Sequence, residues 1–370
     1  MSTLSPQTKR TIGRLIPFGI IWPMLAWIFL FVEFAATHSI NNVPMTAIKM
    51  DLPIFIFASF AITGVGLLLG FIELQYLDQL FADKSFTTRF FSKLLVYGIL
   101  FFIVILILFP IAGSLELDTH PFDKRVWAKY ATFLMSYTSL STVLQLSVSL
   151  VISLFYAEIS EFIGQRTLVN FLKGKYHTPT EEERIFMFLD MKSSTTIAEK
   201  LGHVDYFKLL QAYYECFTDA IVHYEGEIYQ YVGDEIILSW NVQHNRGNAK
   251  CLDCFFAMKK SLQQKSDWFQ AQFGFIPTFK AGIHVGKVST GEIGVLKKDI
   301  IFTGDVLNAT ARIQSLCNTY GVDLLVSDTL KDQLNIAPPY ESQFVDYAIL
   351  RGKEEKMGLY TIGRDQEVSK

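Results

Sequence analysis

Two aspartates in the second half of the chain each lie at the end of an apolar run. Asp190 ends the segment "RIFMFLD", which is typical of a buried strand. Asp234 follows Gly233 between the apolar runs of "EIYQYVGDEIILSW", a pattern typical of a β-hairpin with a two-residue turn. A Gly-Asp pair makes an ordinary solvated turn, but a carboxylate on a rigid hairpin tip is also a suitable metal ligand.

The segment between the two aspartates favours the metal interpretation. Ser193, Ser194 and Thr195 follow Asp190 as helix-start residues. The amphipathic run "DYFKLLQAYYECFTDAIVHYEG" then predicts a long helix that leads to the hairpin. In a β-α-β arrangement the two carboxylates meet at one edge of a sheet, where they can hold a pair of Mg²⁺ ions around a triphosphate. The backbone N–H groups of the helix start are then available to the phosphates.

Further strands and helices follow the hairpin. The patterns predict a helix over 247–264, a strand with a glycine-rich turn in "TFKAGIHVGKVSTGEIG", a short strand in "DIIFTG", a helix in "DVLNATARIQSLCNTYG", and strands in "VDLLVSD" and "KMGLYTIG". This alternation over residues 181–370 predicts an α+β or α/β domain large enough to have its own hydrophobic core.

The first part of the chain has a different composition. Half of the 370 residues are hydrophobic and 19% are charged, against roughly 25% in soluble proteins. Four apolar runs approach or exceed the ~20 residues that a membrane helix needs: Leu15–Ala36, Leu52–Ile72, Leu94–Gly113 and Tyr130–Tyr156. We predict an α-helical domain of four transmembrane spans over residues 1–156; the alternative is a buried helical bundle in a soluble protein. The net charge of −3 gives no basic field, so we expect no nucleic-acid partner.

Basic residues near the span ends predict the orientation. They precede the first span and lie between spans two and three, at Lys9, Arg10, Arg14, Lys84, Arg89 and Lys93. Between spans one and two there is only Lys49, and the loop after span three has mixed charges. We therefore place both termini in the cytosol. The four cysteines follow the spans, so we expect reduced thiols. The pair Cys251 and Cys254 is interpreted as core packing, with a metal or redox role as the alternative.

The fourth span carries many serine and threonine side chains, which are tolerated where a helix packs against its neighbours. We predict an interior-facing helix that leads directly into a linker helix over 157–180, followed by the α+β domain over 181–370. Glu33 lies in the outer part of the first span. It is a functional-site candidate, although snorkelling to the outer interface is the favoured interpretation.

An ordered set of motifs connects residues 183–362 to a known family. The motifs are "FMFLDMKSST", "YVGDEIILSW", "AGIHVGKVSTGEIG", "TGDVLNATARIQ" and "LRGKEEKMGLYTI". This segment resembles the class III nucleotidyl cyclase catalytic domain, here of the membrane-anchored bacterial type. The resemblance implies a ferredoxin-like α+β palm, and two domains that pair head to tail with active sites at their interface.

The resemblance also implies roles for individual residues. The side chains of Asp190 and Asp234 and the backbone of Met191 match the site of two metal ions, Mg²⁺ or Mn²⁺. Asn308 and Arg312 match the pair that acts on the transition state, which the partner domain supplies. Either Arg351 or Lys353 matches a phosphate-binding lysine, and the choice between them stays open. Ser193, Ser194 and Thr195 lie at the phosphate-binding helix start.

Two positions depart from the family's pattern for reading the base. Where adenylyl cyclases usually carry a lysine, this chain has Gln230, and where they usually carry Asp or Thr it has Ile301. Glutamine can donate to and accept from an adenine edge, so we favour ATP over GTP.

The prediction is a homodimeric, multi-pass adenylate cyclase of the cell (inner) membrane, with its N-terminus and catalytic domain cytoplasmic. The alternatives are a guanylate cyclase, or a nucleotide-binding receptor with an inactive cyclase-like domain. What ligand the membrane domain senses, if any, is not written in the sequence.

Overall fold

The computed structural model describes residues 5–38, 48, 52–77, 80–81, 84–242, 249–296, 298–334, 336–349 and 356–364. The chain forms two compact units. One comprises Thr8–Val169, and the other comprises Asn170–Lys370 together with Met1–Gln7.

The N-terminal unit is helical. Its helices are α1 (Pro6–His38), α2 (Leu52–Ile72, followed by the π-helical turn Glu73–Leu77), α3 (Phe86–Leu117), α4 (Lys124–Leu134), α5 (Tyr137–Ile163) and the start of α6 (Gln165–Leu172). Among the described residues, four segments are long and apolar enough to cross a membrane: Pro6–Glu33, Leu52–Leu77, Thr87–Leu117 and Tyr137–Ile163. The prediction of four helices with the length and apolar composition of membrane spans is therefore confirmed.

The fourth apolar helix begins seven residues later than the sequence predicts. Residues 130–134 belong to α4, and Ser136 caps the start of α5 by accepting a hydrogen bond from the backbone N–H of Ser139 at 3.3 Å. Along α5, Ser149, Ser153 and Ser160 are buried. The Ser153 hydroxyl accepts a hydrogen bond from the Trp22 indole at 3.0 Å. The hydroxyl-rich face therefore packs inside the bundle, as predicted.

The predicted direct passage from span four into the linker helix is interrupted at Gly164. Helix α5 ends at Ile163, and Gly164 has a φ of +91°, which is outside helical geometry. A separate short helix, α6, follows. Glu33 lies within α1 and is half-buried; its role stays a prediction.

The second unit is built on one mixed sheet. Its strands are β1 (Thr180–Met191), β2 (Glu227–Val232), β3 (Glu235–Asn241), β4 (Phe279–Ile293), β5 (Asp299–Thr303), β6 (Leu324–Ser327), β7 (Tyr340–Ile349) and β8 (Lys356–Arg364). Its helices are α7 (Ser194–Leu201), α8 (His203–His223), α9 (Lys250–Gln264), α10 (Ser266–Phe273), α11 (Asp305–Tyr320) and α12 (Asp328–Gln333). The strand order is β2-β3-β1-β4-β6-β8-β7, with β5 paired to β4.

The first four strands confirm the expected ferredoxin-like palm. With α8 and α9 they follow the order β1-α8-β2-β3-α9-β4, and β1 lies antiparallel between β3 and β4. The main core packs Leu209, Phe217 and Phe255 of the two helices against Met187 and Leu189 of β1. Helix α11 covers the opposite face, where Ile313 is fully buried.

Strand β4 corrects one prediction. It runs without interruption from Phe279 to Ile293, where the sequence suggests a glycine-rich turn. The glycines instead permit close packing. A Cβ atom on Gly282 would lie 2.4 Å from the backbone nitrogen of Gln314, and one on Gly286 would lie 3.0 Å from Val306. These two positions are where α11 rests on the sheet.

A buried cation lies at the end of β1 far from Asp190. The Arg184 residue is 3% exposed. It donates hydrogen bonds to Glu227 at 2.6 Å, Ser239 at 2.8 Å and Glu182 at 3.4 Å. Glu182 also accepts from the Thr290 hydroxyl at 2.9 Å. This network joins strands β1 to β4 at the base of the palm.

The four cysteines are all buried and unpaired with one another. Cys251 and Cys254 belong to the main core. Burial raises the pKa of the Cys251 thiol to about 12, so it stays protonated at neutral pH. The pair packs the core, as the sequence analysis favours.

Candidate active site

The predicted hairpin with Asp234 at its tip is present. Strands β2 and β3 are antiparallel and Val232 pairs with Glu235, so the two-residue tip is Gly233-Asp234. Gly233 has a φ of +63°, which favours glycine. The Tyr214 hydroxyl of α8 donates a hydrogen bond to the Gly233 carbonyl at 2.9 Å. Its ring lies 4.7 Å from that of Tyr231. The tip is therefore fixed to α8.

Asp190 lies in the centre of a row of charged side chains. It pairs with Glu235 on β3 and with Lys280 on β4, and directly opposed residues of antiparallel strands share one face. The Lys280 ammonium is 3.3 Å from Asp190 Oδ2. The same oxygen accepts a hydrogen bond from the Gln314 amide at 3.1 Å.

The structure brings the carboxyl groups of Asp190 and Asp234 together. Burial and the adjacent Asp234 carboxylate raise the pKa of Asp190, and Lys280 acts in the opposite direction. Glu235 is affected in the same way: burial, followed by the charges of both aspartates, raises its pKa to about 7. Three carboxyl groups thus concentrate negative potential at one end of β1, with the Lys280 ammonium as a nearby counter-charge.

This donor set fits a hard divalent cation. Asp234 Oδ2 is buried and has no hydrogen-bond partner among the residues that the structure describes, and an unpaired buried carboxylate oxygen is costly without a cation. Within the described part of the chain, no group of three or more His, Cys, Asp or Glu side chains surrounds one point. A cation bound here would therefore take its other ligands from backbone oxygens, such as that of Met191, or from phosphates. This is the usual pattern for Mg²⁺.

The helix start after Asp190 is also in place. Helix α7 begins at Ser194, and Ser193 before it has a left-handed φ of +58°. Ser193 and Thr195 are exposed and Ser194 is half-buried. The predicted phosphate-facing residues are therefore accessible at a helix N-terminus, a few residues from the metal-site candidate.

The α11 residue that contacts Asp190 is Gln314. Asn308 and Arg312 lie on a different side of this helix. At about 100° per residue, positions 308 and 312 lie roughly 120° and 160° from Gln314 around the helix axis. Asn308 is exposed and Arg312 half-buried. Within one chain, α11 thus points Gln314, and not the predicted transition-state pair, at Asp190.

The predicted base-reading residues Gln230 and Ile301 lie on β2 and β5, two strands that are not paired in the sheet but touch through side chains. Tyr229 of β2 and Phe302 of β5 are in contact, with ring centroids 4.9 Å apart. The Phe302 backbone N–H also donates to the Tyr229 hydroxyl at 3.2 Å. Gln230 and Ile301 are their sequence neighbours, and the Gln230 side chain is exposed. Arg351 and Lys353 lie outside the described residues, between β7 and β8.

The sequence does not predict that Tyr214, Lys280 and Gln314 contact this site. Two of them carry a recognisable signal. Gln314 is a large polar residue on the buried face of α11, and Lys280 is a charge near the start of a mostly buried strand. Tyr214 gives no signal, because its contact with the hairpin tip depends on how α8 packs.

Comparison with known proteins agrees with this fold. The family model of the adenylate and guanylate cyclase catalytic domain matches residues 177–363, half of the chain. The chain belongs to this family, and the resemblance stated from its motifs is confirmed.

Two of the similar proteins are bacterial. The chain is 28% identical over 209 residues to "Adenylate cyclase 2" of Rhizobium meliloti (strain 1021), covering 56% of this chain and 58% of the relative. It is 27% identical over 183 residues to "Adenylate cyclase" of Anabaena cylindrica, covering 48% and 36%. The chain thus spans less than two thirds of the length of these relatives. A bacterial light-regulated adenylyl cyclase structure shares the fold, with a TM-score of 0.51, 19% identity, and coverage of 61% of this chain and 64% of that one.

Proposed function

We propose that the protein is a membrane-bound class III adenylate cyclase that converts ATP to 3′,5′-cyclic AMP and diphosphate. The observation that carries this proposal is the contact between Asp190 and Asp234, with a buried oxygen on Asp234 that no described residue hydrogen-bonds. Such an arrangement needs a cation for its stability, and a triphosphate brings the further oxygen ligands.

In this mechanism Asp190, Asp234 and the Met191 backbone oxygen hold two divalent cations, Mg²⁺ or Mn²⁺. When bound, these ions stabilise the attacking 3′-oxygen and the leaving diphosphate. The chain's own residues do the rest. Lys280 orients the Asp190 carboxylate and neutralises negative charge next to the triphosphate, and the N–H groups at the start of α7 face the phosphates.

Asn308 and Arg312 complete the site from a second copy of the chain. Their place on α11 supports this proposal, because the side of the helix that faces Asp190 is taken by Gln314. Arg312 then stabilises the charge that develops on the α-phosphate, and Asn308 orients it. A pair of chains related by a two-fold axis has two such composite sites.

ATP is the favoured substrate. The exposed Gln230 amide can donate to and accept from an adenine edge, and its strand β2 contacts β5, the strand of Ile301, through Tyr229 and Phe302. The named bacterial relatives are adenylate cyclases, although a likeness to rat "Guanylate cyclase 2G" keeps GTP as the second candidate.

The four apolar helices anchor the protein in the cell membrane, with both termini on the cytoplasmic side.

Turnover by the purified full-length chain in detergent or lipid tests the proposal. We expect cyclic AMP from ATP in the presence of Mn²⁺ or Mg²⁺, little cyclic GMP from GTP, and no product from the Asp234→Asn variant. Nucleotide binding without any cyclic product would instead indicate a receptor with an inactive cyclase-like domain.

A further inference from the structure

Gln314 occupies a fixed position between α11 and the metal-site candidate. Its side chain is 6% exposed. Its backbone nitrogen would lie 2.4 Å from a Cβ atom at Gly282, so the helix and β4 touch directly at this residue. One turn later the Cys317 thiol donates to the Ala281 carbonyl at 3.3 Å. Helix α11 therefore cannot slide here without disturbing the sheet.

The Gln314 amide is also oriented by charge. It donates to Asp190 Oδ2 at 3.1 Å, the same oxygen that the Lys280 ammonium approaches to 3.3 Å. A carboxylate oxygen has lone pairs for more than one donor. A cation bound to Asp190 therefore contacts the same carboxylate that accepts the Gln314 hydrogen bond. Through Gln314, it also influences the position of α11.

The same helix carries Asn308 and Arg312 on another side. Rigid secondary-structure elements transmit displacements between the groups that they hold. Under the proposed function, one side of α11 contacts the metal site of its own chain, and another side serves the nucleotide bound to a second chain. The two composite sites then share a rigid element, and Gln314 is its contact with the metal-site carboxylate Asp190.

We propose that Gln314 is a positioning residue that holds Asp190 for the metal and couples the two composite sites of the dimer through α11. The inference rests on the proposed homodimeric cyclase. It has two consequences: removing the amide weakens metal binding in the chain that carries the change, and it misplaces Arg312 in the site of the other chain.

The first consequence is tested without turnover. Mn²⁺ binding to the full-length chain in detergent is measured by electron paramagnetic resonance, for the wild type and for Gln314→Leu. We expect the dissociation constant to rise about tenfold, the usual effect of losing a group that orients a metal ligand. The control is Thr310→Val, since the Thr310 hydroxyl is buried on the same helix but donates to the Val306 carbonyl. Unchanged Mn²⁺ binding in Gln314→Leu would overturn the positioning role.

The second consequence is tested in dimers with one intact site. Two affinity tags isolate dimers that pair an Asp234→Ala chain with an Arg312→Ala chain. The intact site takes both aspartates from the Arg312→Ala chain and Arg312 from the other. Gln314→Leu is then added to one chain or the other.

In the chain that supplies the aspartates, we expect the metal concentration for half-maximal turnover to rise about tenfold. In the chain that supplies Arg312, we expect kcat to fall about fivefold at an unchanged half-saturating metal concentration. Thr310→Val should change neither quantity. Full kcat with Gln314→Leu in the chain that supplies Arg312 would overturn the coupling.

A variant that fails to fold is recognised by gel filtration and replaced by Gln314→Met, which keeps a similar length but has neither an amide donor nor a charge; the same results are expected. The proposed function and this inference fail separately. A wild-type chain without cyclase turnover contradicts the function, whereas a wild type that turns over normally beside an unaffected Gln314→Leu variant contradicts only the inference.

Discussion

The Tyr214 hydroxyl donates a hydrogen bond to the Gly233 carbonyl at 2.9 Å. The residue after Gly233 is Asp234, so a single phenol of α8 fixes the backbone of the turn that carries one of the two metal-site carboxylates. A hairpin tip is normally among the more mobile parts of a domain. Here the Tyr214 hydrogen bond holds the tip, which keeps Asp234 in place. A metal site requires this, because it loses its geometry when its ligands move.

Loss of this hydroxyl should weaken metal-dependent turnover. A hydrogen bond of this kind contributes about 1 kcal/mol, which corresponds to roughly a fivefold effect. We expect Tyr214→Phe to raise the Mn²⁺ concentration for half-maximal cyclase activity by about that factor. The matched control is Tyr320→Phe, which removes a hydroxyl that donates to Asp346 at 3.0 Å. An identical metal titration for Tyr214→Phe and the wild type would show that the phenol does not position Asp234.

Neutralising either metal-site aspartate should abolish turnover but not folding. We expect Asp190→Asn and Asp234→Asn each to reduce kcat by about a thousandfold, because each removes charge from the cation pair. Their melting temperatures in the absence of metal should equal or exceed that of the wild type, since the two carboxylates repel one another. Near-normal turnover in a folded variant would exclude that aspartate from the site.

The ion network at the base of the palm predicts a pH dependence of stability. Burial alone would raise the pKa of Glu182, but the Arg184 charge and the Thr290 hydrogen bond outweigh it. The net pKa lies below the ordinary 4.5. A lowered carboxyl pKa stabilises the fold above that ordinary value, and this contribution is lost as the pH falls through the folded-state pKa.

Glu182→Gln should therefore lower the free energy of unfolding at pH 7, and the difference from the wild type should shrink below pH 4.5. Urea unfolding of the unit that begins at Asn170, measured between neutral and acid pH, checks this. Glu341→Gln, on the exposed side of β7, is the control and should have little effect. A destabilisation of Glu182→Gln that is the same at every pH would argue against the ion network as its cause.

Gln230 should set the choice of base. We expect Gln230→Lys to keep or increase the preference for ATP. Gln230→Glu should shift the preference towards GTP, because a carboxylate accepts from the N1–H and the exocyclic amine of guanine. The ratio of kcat/KM for the two nucleotides is the measurement. If neither variant changes this ratio, Gln230 does not contact the base.

The parts of the site that the sequence predicts are those with local signals. An acid after an apolar strand and a Gly-Asp pair between apolar runs identify Asp190 and Asp234 without any knowledge of packing. The glycines of β4 mislead for the same reason, since Gly282 and Gly286 look like turn residues until α11 is seen to rest on them. Strand β7, "YESQFVDYAI", is missed because its side chains are mostly exposed at the end of the sheet. The contacts of Tyr214, Lys280 and Gln314 join residues that are distant in sequence, so only the folded chain reveals them.

The central claim is that one catalytic site draws on two chains, and subunit mixing tests it most directly. Asp234→Ala and Arg312→Ala chains are purified separately, mixed in equal amounts and allowed to exchange, with exchange followed by labelled subunits. Each variant alone should be inactive. A mixed dimer has one site with both changes and one with neither, so random mixing should restore roughly a quarter of wild-type cyclic AMP formation. No recovery after demonstrated exchange would contradict the shared site.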